Sequence, residues 1–261
     1  MSTFTHIKRD DGFGAQFFTI IITFLYCKLN NLNYCYRPFY SMHHNYSNDT
    51  NFLYKKETLI NFLTNVELAT EDTNIIDWKT CYDCFISNFQ NKILYKNLNI
   101  IKSIFNQNKK KVFNNDYFNV AIHIRVINNP DIMFFEKTYN QSQINKEIDW
   151  FKNCKLYSIE KYVKIKEYIK NTYSNKKLLF HIYSQLKETP GNINDFDNLK
   201  CKSTIFHFDE PIENTFVEMV HSDILVMSIS CFSYSAAFLN EGTVFFPKTF
   251  HHRPLPKWYI F

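Results

Sequence analysis

Glycine is scarce in this chain, with 4 residues in 261. No complete G-x-G-x-x-G turn of the kind that cradles dinucleotide phosphates is present. Long apolar runs are missing too. The strongest, residues 15–27, falls short of the ~20 residues that span a bilayer, so it reads as a buried helix and no membrane span is expected. Charge is not massed in one sign: 30 Lys and Arg against 25 Asp and Glu leave a net +5. The tightest basic run, residues 109–111, reads as a solvated linker, which argues against a nucleic-acid partner. The 7 cysteines are odd in number and widely spread. Cys81 and Cys84 have C-x-x-C spacing but no second pair and no nearby histidine set, so a zinc site is not expected there. Reduced thiols and the lack of a signal-peptide pattern lead to the expectation of a soluble, cytoplasmic protein.

What is present is an ample core, 45% hydrophobic, in a chain long enough for one large or two small domains. The 27 Phe and 17 Tyr are read partly as coding bias in an Asn-, Lys- and Ile-rich chain, not as base-stacking platforms. The first part patterns as a short strand (4–8), a glycine turn, the buried helix, a strand at 34–36 and helices at 51–63 and 82–105. The polar stretch 106–115 is the best boundary, giving domains 1–112 and 113–261. After it, strands at 120–125, 178–183, 204–208, 224–227 and 244–246 alternate with helices at 158–172, 212–221 and 232–239. That order predicts an α/β fold of two Rossmann-like domains facing a cleft, with doubly wound parallel sheets.

Three segments carry candidate chemistry. In residues 118–129, FNVAIHIRVINN, strand alternation puts His123 and Arg125 on one face at the C-terminal tip of an apolar strand, where open α/β sheets bind ligands. Arginine forks two N–H donors onto phosphate oxygens. In residues 222–247, a strand ends in Ser228, Ser230 and Ser233, where a helix begins. Serines there either cap the helix or help its free N–H groups hold an anion. Near the start, Asp11-Gly12-Phe13-Gly14-Ala15-Gln16 places two of the four glycines at one turn, close to a ligand or a facing loop. His207 is a candidate to border a base. The D-x-D of Asp195 and Asp197 lies in a polar loop and is not expected to hold a metal.

These segments occur in a recognisable order. DGFGAQ, VAIHIR, HIYSQ (with Tyr183 and Ser184), NDFDNL and FHFDEPIENTFVEMVHSDILVMSISCFSYSAAFL together resemble the fucosyltransferase-like glycosyltransferases of the two-Rossmann-domain (GT-B) type, especially small soluble members from algae and large DNA viruses. The likeness covers about residues 118–261, the first turn and the His43-His44 loop. It implies an inverting, metal-independent transferase with no cofactor, in a host cytoplasm were the source viral, whose partners are a nucleotide sugar and a glycan acceptor. By the same resemblance, His123 and Arg125 line the donor diphosphate, and the family's serine-phenylalanine-serine turn maps to Cys231-Phe232-Ser233. Gly12, Phe13, Gly14, Tyr183, Ser184, His207, Ser228, Ser230, Phe232 and Ser233 fall on the binding side. Inversion requires a base to take the acceptor proton; His44 and Asp11 are the candidates, with Asp49 and Asp77 behind them. Val126 stands where the family often has a second Arg, Asn128 where it often has Asp, and Cys231 replaces a Ser. The donor is therefore open between GDP-fucose, the first choice, and UDP-xylose. A nucleotide- or glycan-binding protein without turnover is the alternative.

Overall fold

The computed structural model describes residues 2–42, 49–107, 109, 112–113, 116–126, 159–187 and 192–261. Two compact units emerge, one of Met1–Lys111 with Tyr234–Leu239, the other of Val112–Ser233 with Asn240–Phe261.

The first unit begins with β1 (Thr3–His6), α1 (Phe13–Leu29) and β2 (Asn33–Tyr34). It continues with α2 (Phe52–Ile60), α3 (Phe62–Asn65), β3 (Asn74–Ile76), α4 (Trp78–Ser87) and α5 (Lys92–Asn106). Its three strands are parallel, in the order β2-β1-β3. Helix α1 is apolar all round and buried along most of its length, as a helix covered on every side must be. Its two threonines avoid a burial penalty by bonding back one turn, Thr19 to the Ala15 carbonyl and Thr23 to that of Thr19. Phe18 packs against Phe85, Tyr234 and Phe238. No helix among the described residues is long and apolar enough to cross a membrane.

Both long helices expected in this unit are broken, each time by asparagine. Residues 51–63 split at Asn61, which takes a left-handed φ of 60° that asparagine tolerates. Its side-chain amide donates to the carbonyls of Ile104, Phe105 and Gln107 at the end of α5, so the break also satisfies another helix terminus. Residues 82–105 split at 88–91, where Asn88 closes α4 and the Asn91 side chain caps α5 by accepting from the Ile93 N–H.

The second unit contains β4 (Phe118–His123), α6 (Ile159–Thr172), β5 (Leu178–Ser184), a 3₁₀ helix (Ile193–Leu199) and β6 (Thr204–Phe208). The chain continues with α7 (Ile212–His221), β7 (Ile224–Val226), α8 (Cys231–Leu239, of which Tyr234–Leu239 belongs to the first unit), β8 (Thr243–Phe246) and β9 (Tyr259–Ile260). All six strands are parallel, ordered β6-β5-β4-β7-β8-β9. Counted within the unit, that is 3-2-1-4-5-6, the doubly wound order of a dinucleotide-binding sheet. Strand β7 and most of β4 are buried on both faces, the pattern that helices on each side impose. The last strand, β9, was not legible as a strand and adds the C-terminal segment to the edge of the sheet.

Candidate functional site

A doubly wound sheet opens where the strand order reverses, because the chain leaves the two central strands in opposite directions. Here β4 leads on to β5 and β7 to β8, so the reversal falls between β4 and β7. At that point His123 Nδ1 lies 2.8 Å from Ser228 Oγ. Both side chains are buried, and the imidazole also rests against the Phe232 ring. Burial, with the nearby charge of Arg125, lowers the His123 pKa to about 3, so the ring is neutral at pH 7. Arg125 follows two residues later, half-buried. Its backbone is set by Ile124, whose N–H donates to the Tyr183 carbonyl and whose carbonyl accepts from Ser184 Oγ at 2.8 Å.

The serine turn is partly self-contained. Ser233 Oγ accepts from the Ser228 N–H and lies within reach of the Ser228 and Ser230 carbonyls. Ser230 Oγ accepts from the Phe232 N–H, the capping role that the sequence left open. The hydroxyls of Ser228 and Ser233 are thus turned inward, whereas Ser230, Cys231 and Phe232 form the half-buried lip of the turn. Cys231 Sγ contacts His252 Nε2 at 3.5 Å, which is how a thiol is accommodated at this position.

His123, Tyr183 and His207 stand side by side in register across β4, β5 and β6, each pair one strand spacing apart. Tyr183 is buried; its hydroxyl donates to Glu218 at 2.7 Å, and burial beside that carboxylate raises its pKa. Its ring stacks on His207, with centroids 4.6 Å apart. His207 in turn meets His181 and Glu210. Sequence reasoning missed Asn119, His181, Glu210 and Glu218 here. Their only local signal was strand alternation, which puts His181 on the face of Tyr183.

In the first unit, Gly12 precedes α1 with an ordinary extended φ of −68°, and no described glycine has a positive φ. The glycine turn therefore does not rest on glycine's dihedral freedom. Gly14 is buried and its carbonyl accepts from Ser235 Oγ, while Phe13 packs against Phe17 and Phe39 in the core. Asp11 pairs with Arg9 through one carboxylate oxygen, and its other oxygen is buried without a hydrogen-bond partner. Beside it lies a pocket at the tip of β1, lined by His6, Lys8, Arg9, Gln16, Arg37 and Tyr40 among others. His44 lies outside the described residues, as do Asn128, Pro190 and Gly191. Asp49 is bound to Lys55, and Asp77 caps α4.

Asp195 caps the 3₁₀ helix reciprocally with Asn192, so the polar loop expected around the D-x-D is in part an ordered turn. The described cysteines are all free thiols, and burial raises the pKa of Cys81 to about 11.

No protein-family model matches the chain, and no curated protein does. Among solved structures the chain is similar to a NodZ α-1,6-fucosyltransferase co-crystallised with GDP, at 9% identity and TM-score 0.40, over 92% of this chain and 93% of that one. The same enzyme soaked with GDP-fucose matches at 8% identity and TM-score 0.41, covering 92% and 93%. Fucosyltransferase NodZ from Bradyrhizobium matches at 8% and 0.41, covering 92% and 94%. Likeness at this distance carries no weight for activity; the residues themselves must.

Proposed function

We propose that the chain is a glycosyltransferase whose second unit binds a nucleotide sugar at the reversal between β4 and β7. One observation carries this reading: His123 and Ser228, at the tips of those two strands, are bonded at 2.8 Å, with Arg125 two residues further on. His123 is neutral and lies within the field of Arg125, and the guanidinium is the cation that the reading assigns to the diphosphate. As the acceptor hydroxyl attacks the anomeric carbon, the bond from that carbon to the phosphate oxygen breaks, and negative charge collects on the departing diphosphate. A preorganised guanidinium with helix-start N–H groups stabilises that charge, each donor contributing roughly 10²–10³ in rate by analogy with oxyanion holes. On this account the step inverts the anomeric centre and requires no metal. The acceptor proton passes to a general base, for which His44 and Asp11 are the candidates. GDP-fucose is the preferred donor and UDP-xylose the second.

Val126, which replaces the resembled family's second arginine, favours the alternative of a binding protein without turnover. Thermal shift with GDP, UDP, GDP-fucose and UDP-xylose tests both readings. A ligand at a hundred times its Kd adds about 2.7 kcal/mol, a shift of several degrees at roughly 2–4 °C per kcal/mol. A shift with release of nucleoside diphosphate in the presence of glycan supports the transferase, and a shift without release supports the binding protein. No shift with any of the four removes the transferase and the nucleotide-binding protein alike.

A further inference from the structure

The first unit carries a basic pocket that the nucleotide-sugar reading does not use. Strands β1 and β2 run parallel, with Thr3 against Asn33 and Phe4 against Tyr34, so the residues that follow the two strands leave the sheet side by side. Lys8 and Arg9 are thereby set next to Arg37, Phe39 and Tyr40. They meet beyond the carboxyl end of β1, the middle strand of the sheet β2-β1-β3. Open parallel sheets bind ligands at that end. The walls of the pocket are fixed from behind. The buried Glu57 carboxylate accepts from the Phe39 N–H at 2.6 Å and from the Tyr36 hydroxyl at 2.7 Å. Buried Gln16 donates its side-chain amide to the carbonyls of Asp11 and Ser41, at 2.7 and 2.8 Å, which ties the two loops together.

Three cations and no carboxylate line this pocket. Arg9 is matched by Asp11. Arg37 is not matched: it is half-buried, yet no ion pair or hydrogen bond engages its guanidinium among the described residues. The buried His6 ring that shares its pocket is bonded to the Tyr34 hydroxyl at 2.9 Å and supplies no countercharge. Lys8 has only the face of the Tyr40 ring, 5.3 Å away. A half-buried cation without a countercharge carries a desolvation cost that a bound anion offsets. The enclosed part of the pocket has room for a group of about one water's size. That suits an oxygen of a carboxylate, sulfate or phosphate and excludes a whole sugar ring. Tyr40, largely exposed, presents its ring at the rim to whatever the acidic group is attached to.

We propose that Arg37 and Lys8 bind an acidic group, a carboxylate, sulfate or phosphate, in the pocket beyond β1. Arg37 forks two N–H donors onto its oxygens, and Lys8 adds a point charge. The site is built from the first unit alone, and binding there does not depend on sugar transfer. A free inorganic anion and an acidic sugar share this chemistry, but only the sugar gains from the Tyr40 ring.

The test titrates the full chain by calorimetry at pH 7 and constant ionic strength with inorganic sulfate, inorganic phosphate, glucuronate and, as the uncharged control, glucose. Saturable binding of at least one acidic probe is expected, and none of glucose. Arg37→Gln should weaken that binding by about 10-fold or more, and Arg37→Lys should recover only part of the loss. Lys8→Gln should weaken it roughly two- to fivefold. Glucuronate binding more tightly than both inorganic anions identifies an acidic sugar, and the reverse order identifies a free anion. Anions also have the proposed diphosphate site open to them, so Arg125→Gln is titrated in parallel. Circular dichroism checks that each variant is folded. The proposal is overturned if no acidic probe binds saturably, or if glucose binds as glucuronate does. It is equally overturned if binding disappears with Arg125 and persists in folded Arg37→Gln. Because Lys8 is exposed, unchanged binding by Lys8→Gln overturns the proposal should Arg37→Gln not fold.

Discussion

The imidazole of His123 and the hydroxyl of Ser228, 105 residues apart in sequence, meet at 2.8 Å between the tips of two adjacent parallel strands. The two strands are not consecutive in sequence, so the contact exists only because the strand order reverses there. Ser228→Ala leaves a buried nitrogen without its partner, an expected cost of about 1–3 kcal/mol. Chemical denaturation of the two proteins measures it. A difference under about 0.5 kcal/mol would mean that the pair does not hold the two strand tips together.

Arg125→Lys keeps the charge and loses the fork. Turnover with the preferred nucleotide sugar should fall roughly 10²-fold or more, with little change in Tm because Arg125 is only half-buried. Activity within threefold of wild type would remove Arg125 from the proposed role.

Acid should destabilise the fold well before carboxylates titrate. Burial lowers the pKa values of His6 and His123 to about 3 each, against an ordinary 6.5. The unfolded chain therefore binds protons at these positions between about pH 6.5 and 3 that the folded chain refuses. Stability is full above pH 6.5 and falls as pH drops through that window, by up to ~1.4 kcal/mol per pH unit for each group. Urea midpoints at pH 7, 6 and 5 should decline, and His123→Gln should flatten the decline. A flat profile would contradict the buried, neutral histidines.

Gly242 and Asn240 should be the most sensitive positions in the α8–β8 connection. A Cβ on Gly242 would sit 2.1 Å from the Asp223 carbonyl oxygen, so Gly242→Ala forces the backbone apart at about 1–3 kcal/mol. Buried Asn240 donates its amide to the carbonyls of Met219, Val220 and Ser222 at the end of α7. Asn240→Ala strips those acceptors and should cost about 2–4 kcal/mol. Differential scanning calorimetry reads both effects, and neither substitution should alter the nucleotide preference.

Chelator should leave turnover within about twofold, since the proposed charge stabilisation comes from Arg125 and helix-start N–H groups. A loss that Mg²⁺ or Mn²⁺ restores would shift that role to a metal.

The alternation of strands and helices after residue 118, the buried α1 and the placement of His123 at the tip of an apolar strand were legible from sequence, whereas that strand stops at His123 and leaves Arg125 beyond it. Each depends on a local period, two for strands and 3.6 for helices, that the pattern of apolar residues imposes within a few turns of chain. The breaks at Asn61 and at 88–91 were not legible, because they are stabilised by the amide of one asparagine reaching the far end of α5 and by the cap of another. The order of the strands, the inward turn of the Ser228 and Ser233 hydroxyls, the need for glycine at 242 and the gathering of Asn119, His181, His207, Glu210 and Glu218 were settled only by tertiary structure. Most of those relationships join residues tens of positions apart, and which of them meet is decided by competition among pairings for one buried sheet, a choice that no local stretch of sequence contains.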